Sequence, residues 1–393
     1  MTQVVRSRGG ALLGALAIST VATGVMFIAV PLELRSLHAS PQATGITLAM
    51  FGLGAFLFEW VWGLVADRFG YARPLVVSMI LFSAGMVFLA RSTTVPQIAL
   101  SYLVTTAMLV SVGPIGRSFL GTTLPPHLRA TGLAVLSAEW LIGDAIGSGA
   151  GGLLIERMPI SSVLSAAAVL PLITAALLVL VFRGYRQRFG HEVEPGAAQG
   201  ARGRDWVPVM VVTAAIMVLF QVGAFGETAF LPLLVTVHLN LSAADAGTAL
   251  FAAGLVGGLL LVPGGMASDR WGRRPAIIAG CLISAVGFLL YAVAGVFAAV
   301  IVAAAVRALG SSLIWPAATA WISDAAPRRR HALMMGLFGE FENLGGALGP
   351  AVGGIAWSMA GIPATFVVYA VAVGLAAAVA GLTGRLTPAA VRN

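Results

Sequence analysis

The sequence predicts an all-α membrane protein whose twelve transmembrane helices form two pseudo-symmetric six-helix bundles. Three observations carry that prediction: a composition too apolar for a soluble core, apolar runs of spanning length, and a second half that repeats the first. Of the 393 residues, 59% are hydrophobic and 10% charged, whereas a soluble domain carries about a quarter charged residues. Runs of roughly 20 apolar residues cross about 30 Å of hydrocarbon at about 1.5 Å per residue.

Apolar runs broken by charge, proline and glycine give the helices in order. The first, 11–34, follows Arg6 and Arg8; it is too long for a signal peptide and continues into further spans, with Glu33 and Arg35 at its interfacial end. The rest fall at 44–66, 73–91, 96–119, 130–155, 161–182, 207–235, 245–268, 275–295, 298–322, 332–357 and 362–383. The polar stretch 183–206 reads as a flexible cytoplasmic linker, with a short amphipathic surface helix as the alternative. It divides an N-terminal bundle, 1–182, from a C-terminal bundle, 207–393.

All 23 basic residues are arginine; 19 fall in alternate segments, on the side of the N-terminus, against three opposite and Arg307 within a span. That positive-inside bias places both termini in the cytoplasm, and the expected location is a bacterial inner membrane. The net charge of +8 and pI of about 10.9 therefore reflect topology, and no nucleic-acid partner is expected. Cys281 is the single cysteine, so neither a disulfide within the chain nor a thiolate metal site is expected.

The halves match at an offset of 201 or 202. Gly63, Asp67, Arg68 and Gly70 answer Gly265, Asp269, Arg270 and Gly272; Gly143, Gly147, Gly151 and Gly152 answer Gly345, Gly349, Gly353 and Gly354. Asp67 falls at a helix C-terminus, where the dipole is already negative, so it needs a partner: Arg68, Arg73 or the N-terminus of a neighbouring helix. The same holds for Asp269 with Arg270, Arg273 and Arg274. Each cluster reads as a conformational latch at the inner face, the alternative being a topology anchor with one compensating acid.

GLVADRFGYARP, residues 63–74, and GMASDRWGRRP, residues 265–275, resemble the loop motif of the major facilitator superfamily, the first copy with Tyr71 and Ala72 where basic residues are usual. RALGSSLIWPAATAWISDAAPRRR, residues 307–330, is similar to the family's fourth-helix pattern, here in helix 10. GGALGPAVGG, residues 345–354, resembles the helix-packing signature of its antiporters through Gly345, Gly349, Pro350, Gly353 and Gly354. It stands in helix 11 instead of helix 5, where Ser148 replaces the proline. The resemblance implies alternating access: two bundles rock about a site near the midplane, with helices 1, 4, 7 and 10 around the cavity and 2, 5, 8 and 11 at the bundle interface.

Ionisable groups inside spans are expensive and mark function. The five histidines fall in loops or at helix ends, so proton coupling falls to carboxylates: Asp144, Glu340, Glu139, Glu342 and Glu227. Burial disfavours the charged form of a carboxyl group. The helix 11 acids also read as near-surface caps or partners of loop arginines. Substrate-cavity candidates are Gln221, Glu227, Arg307, Ser311, Trp315 and Asn343. Arg307, Ser311 and Trp315 share a stripe at i, i+4, i+8; Arg307 reads either as a proton-transfer group, as in relatives, or as the buried partner of Glu227 or Glu340. Glu59 beside Trp60 reads as either cavity-facing or salt-bridged.

The function these features imply is a secondary active transporter. Proton-coupled efflux of small amphipathic or lipophilic compounds leads; a symporter of a sugar, organic acid or other nutrient, or a lipid flippase, is the alternative. No nucleotide loop, metal spacing or nucleophile–base pair suggests an enzyme, and no metal or cofactor is expected. The expected partners are the bilayer, a small-molecule substrate and protons, with the chain a monomer.

Overall fold

The computed structural model describes residues 8–124, 126–184, 206–325 and 331–382; the linker expected at 183–206 lies almost wholly outside them. The twelve helices are α1 (Arg8–Ser36), α2 (Pro41–Phe69), α3 (Ala72–Ala90), α4 (Val95–Leu109, resuming as Val112–Thr123), α5 (Pro126–Ile155), α6 (Ile160–Ala167, resuming as Val169–Val181), α7 (Trp206–Leu233), α8 (Ala243–Trp271), α9 (Arg273–Ala292), α10 (Phe297–Ala325), α11 (His331–Ala360) and α12 (Ile362–Leu382). Among the described residues there is no strand. Over those same residues ten helices are long and apolar enough to span a bilayer; the other two, α5 and α11, each carry two carboxylates in the span.

The helices overrun the expected boundaries by a few residues, and two that read as continuous are broken. Proline explains the breaks, because it removes one helical donor and crowds the carbonyl four residues earlier. Pro114 interrupts α4 at Val110–Ser111, and Pro171 interrupts α6 at Ala168. The Ser83 hydroxyl of α3 donates to the Ala168 carbonyl at 2.6 Å, satisfying an acceptor beside the second break. Beyond Pro232, α7 ends in a π turn over Leu234–His238.

Lipid tails are as apolar as the side chains, so helices associate through close packing of small residues rather than hydrophobic exclusion. The glycine ladders do this work. In the N-terminal half Gly143 and Gly147 lie flush against Thr20 and Val21 of α1, and in the C-terminal half Gly345 and Gly349 lie flush against Val218 and Val222 of α7. The duplication is thus physical: α5 packs on α1 as α11 packs on α7. Aromatic side chains fill the C-terminal core, with Phe288 and Tyr369 centroids 5.9 Å apart and Tyr291 and Phe366 5.1 Å apart.

The second glycine of each Gly-Gly pair faces the other bundle. A Cβ at Gly152 would lie 2.5 Å from the Ala243 carbonyl oxygen of α8, and one at Gly354 would lie 2.6 Å from that of Pro41 in α2. Along α2 and α11 the contact is backbone to backbone from Gly45–Gly354 to Gly52–Ala347, then passes to side chains at Glu59–Asn343. Gly63 and Gly336, farther along, have nothing within 4 Å of a built Cβ. The bundles therefore close on the arginine-poor side and separate toward the arginine-rich one.

Candidate functional site

Where α2 and α11 begin to part, four helices bring charged and polar groups together. Glu59 of α2 is ion-paired to Arg117 of α4 through Oε1. Its other oxygen, Oε2, accepts from the Asn343 amide of α11 at 2.7 Å. Glu340 and Glu342, on the same helix as Asn343, lie within electrostatic reach of both Glu59 and Arg117. The Trp315 indole of α10 donates to Glu342 Oε1. Glu340 Oε2 is buried without a hydrogen-bond partner among the described residues. Three carboxylates and one guanidinium thus straddle the bundles, and Arg117, its side chain 52% exposed, closes the cluster on the open side.

Glu59 takes the salt-bridged one of its two sequence readings, while Arg117 was not among the site residues expected from sequence. Arg117 reads there as one more inner-face arginine, yet it follows Gly113 by one helical turn within an apolar stretch, the one local sign of an inward position.

Above this cluster a small apolar cavity spans both halves, lined by Phe27, Phe51, Tyr102, Phe225, Thr228 and Pro350. Phe51 meets Phe27 of its own bundle edge-on at 4.8 Å and Phe225 of the opposite bundle, tilted, at 5.8 Å, centroid to centroid. These residues seal the arginine-poor end. In this arrangement the space between them is about 10 Å³, room for about one water and not for a ligand.

Glu139 and Asp144 of the N-terminal half sit deeper in their own bundle. Glu139 of α5 accepts from the Thr20 hydroxyl at 3.4 Å, and its Oε2 is buried and unpartnered among the described residues. Asp144 accepts from Ser148 at 3.3 Å and lies within electrostatic reach of Tyr102. The Ser148 hydroxyl also lies 3.0 Å from the Gly24 carbonyl of α1, so the residue that replaces the signature proline ties α5 to α1.

Glu227 and Arg307 form an ion pair at 2.5 Å inside the C-terminal half, with side chains 2% and 12% exposed. Tyr291 of α9 donates to Glu227 Oε1 at 2.7 Å. The Arg307 backbone packs against Gly287, also of α9. The pair joins α7, α9 and α10 within one bundle. Of the two sequence readings of Arg307, the geometry is that of a buried partner of Glu227. Gln221 lies half-buried beside Gly345, and Ser311 is bonded to its own helix at Ala308.

The repeated loop motif supplies tight turns and intra-bundle ties. Gly70 and Gly272 cap α2 and α8 at φ 81° and 91°, a left-handed region that favours glycine. Arg273 pairs with Asp269 and, at 3.4 Å, with Asp324 of α10. Arg274 donates to the terminal carbonyls of α12 at Ala380 and Gly381. The Arg68 guanidinium lies 5.5 Å from the Phe69 ring centroid. Among the described residues Asp67 has no ion pair, and no ion pair of either motif crosses between bundles. Nor do three His, Cys, Asp or Glu side chains converge there in a metal-binding arrangement.

Two six-helix halves, closed at one face, splayed at the other and sharing a polar site between them, define a membrane transporter of the alternating-access class. A sequence model described as Major Facilitator Superfamily matches residues 12–237 and again 213–393. The chain belongs to the major facilitator superfamily. It is 24% identical over 375 residues to "Multidrug resistance protein 1" of Bacillus subtilis (strain 168), covering 94% of this chain and 95% of the relative. It is 25% identical to "Quinolone resistance protein NorA" of Staphylococcus aureus (strain MRSA252), covering 84% and 85%, and 26% identical to "Tetracycline resistance protein, class C" of Escherichia coli, covering 72% and 73%. Among solved structures, a bacterial homologue of the human lysosomal transporter Spinster, inward-facing and unoccupied, matches at a TM-score of 0.81 with 16% identity, covering 96% of each chain. A mutant of the nucleoside transporter NupG matches at 0.76 with 12% identity, covering 97% of this chain and 100% of that one.

Proposed function

We propose that this chain is a proton-coupled exporter that exchanges protons for small amphipathic or lipophilic compounds. One observation carries the reading: the Glu59–Arg117–Glu340–Glu342–Asn343 cluster joins the two bundles at the mouth of the open side, directly below an aromatic cavity. A carboxylate group that both bundles share senses their separation, as coupling requires. The relatives named for drug resistance support export and a broad apolar substrate class.

In this reading the open, arginine-rich side is cytoplasmic. A compound enters between α2 and α11, lays its apolar body against Phe51 and Phe225, and turns any polar group toward the carboxylates. Glu340 Oε2 and Glu139 Oε2, buried and unpartnered among the described residues, are the oxygens with room to hold a transported proton. Substrate and proton compete for one charge state, and the bundles rock to release whichever is bound on the opposite face.

The test is flux in proteoliposomes with an imposed pH gradient, following a fluorescent amphipathic compound together with internal pH. Export coupling predicts opposite movement of protons and compound, and loss of accumulation when an ionophore collapses the gradient. Equal accumulation without a gradient, or co-movement of the two, contradicts it.

A further inference from the structure

On the closed, arginine-poor face the bundles share a polar contact that lies outside the coupling cluster. Glu156, the first residue past α5, reaches across the interface, and its Oε1 accepts from the backbone N–H of Ala244 at 3.0 Å. Ala244 lies in the first turn of α8, where N–H groups have no partner within the helix. Two local bonds already satisfy that terminus in part: Asp245 N donates to Ser242 Oγ at 3.0 Å, and Ser242 N donates to Asp245 Oδ2 at 3.1 Å. The Ala244 donor is left over, and a carboxylate of the other bundle takes it.

We propose that Glu156 is the gating residue of this face: as a cap supplied in trans to α8, it holds the inward-open arrangement closed on the outside. A carboxylate at a helix N-terminus gains from both the N–H and the helix dipole. Both gains vanish when the bundles part here, so the contact favours one conformer. The backbone approach one turn earlier, Gly152 against Gly247, brings the two groups within reach. The device is one-sided. The position matching Glu156 in the second half is Ser358, whose hydroxyl bonds Ile355 of its own helix. The α2 terminus opposite it is capped locally, Ala43 N donating to Ser40 Oγ at 3.3 Å. Opening therefore costs α8 the bond from Glu156 while its local Ser242 cap stays, and α2 keeps its own cap unchanged.

This inference rests on the inward-open geometry and not on the identity of the substrate or on proton coupling, so its test uses neither. In a Cys281→Ser background, Thr228→Cys places a thiol in the aromatic cavity. Its rate of labelling by a membrane-impermeant maleimide, added to the outer side of right-side-out vesicles, reads the outward-open population. Glu156→Ala removes the acceptor. Ala244→Pro removes the donor at a place where a first helical turn tolerates proline. Because the contact is solvent-exposed, each should raise the labelling rate about threefold, the effect of an exposed charge at a helix N-terminus, and the double variant should raise it no further. Glu156→Gln, which keeps an acceptor, should raise it less. Unchanged rates in both single variants, a change in only one, or effects that multiply in the double variant overturn the proposal.

Discussion

The pairing of Glu227 with Arg307 is the most buried of the ion pairs among the described residues. Removing one partner of a buried ion pair leaves an uncompensated charge and costs about 3–5 kcal/mol. Glu227→Gln and Arg307→Met should each lower the melting temperature in detergent sharply, while the double variant regains most of the loss. A double variant no more stable than the worse single would show that the two charges do not compensate one another. Glu340→Gln should behave differently. It should melt like the parent and lower gradient-driven accumulation on the order of tenfold, the equivalent of one lost charge-assisted interaction; unaltered accumulation would remove Glu340 from the coupling site. The sequence showed which carboxylates interrupt the apolar helices, because a charge in an apolar run is visible one residue at a time. It did not show their partners. Glu59 and Asn343 are 284 positions apart, and helical periodicity carries no information about which faces of different helices meet.

At the scale of helices, far more was legible. Composition and run length located all twelve helices, ten of them apolar enough to span a bilayer over the described residues, and the internal repeat located the two halves, since both depend on local chemistry and copying alone. The breaks in α4 and α6 escaped, although Pro114 and Pro171 are plain in the sequence, because a proline in a span either kinks or merely bends it according to what its neighbours supply. For α6 the supply is Ser83. Ser83→Ala should leave the Ala168 carbonyl without that donor and destabilise by about 1–3 kcal/mol, read as a lowered melting temperature; an unchanged value would show the acceptor satisfied elsewhere. The glycine doublets divide their labour, Gly353 within a bundle and Gly354 across. Gly354→Ala pushes a methyl group against the backbone of α2 and should open the outer face, at a cost to the closed state of about 1–3 kcal/mol. Labelling of a cavity cysteine from outside measures that directly, and a parent-like rate would mean that α2 yields without parting.

For the whole molecule, the inner-face motifs have a narrower part in this arrangement than their repetition suggests. Asp269, Arg273 and Asp324 tie α8, α9 and α10 together inside the C-terminal bundle, and Arg274 fastens α12. Those ties hold the C-terminal bundle together, and among the described residues the bundles meet through glycine contacts, the Phe51–Phe225 pair, the Glu59 cluster and the Glu156 cap. The central claim is that closing one face opens the other. Spin labels at Phe69→Cys and Trp271→Cys, exposed residues at the arginine-rich ends of α2 and α8, report that face. Labels at Ser161→Cys and Val296→Cys, also exposed, report the opposite one. In the Cys281→Ser background, acidification or added amphipathic compound should shorten the first distance while lengthening the second. Distances that stay fixed on both faces, or that lengthen together, would contradict alternating access.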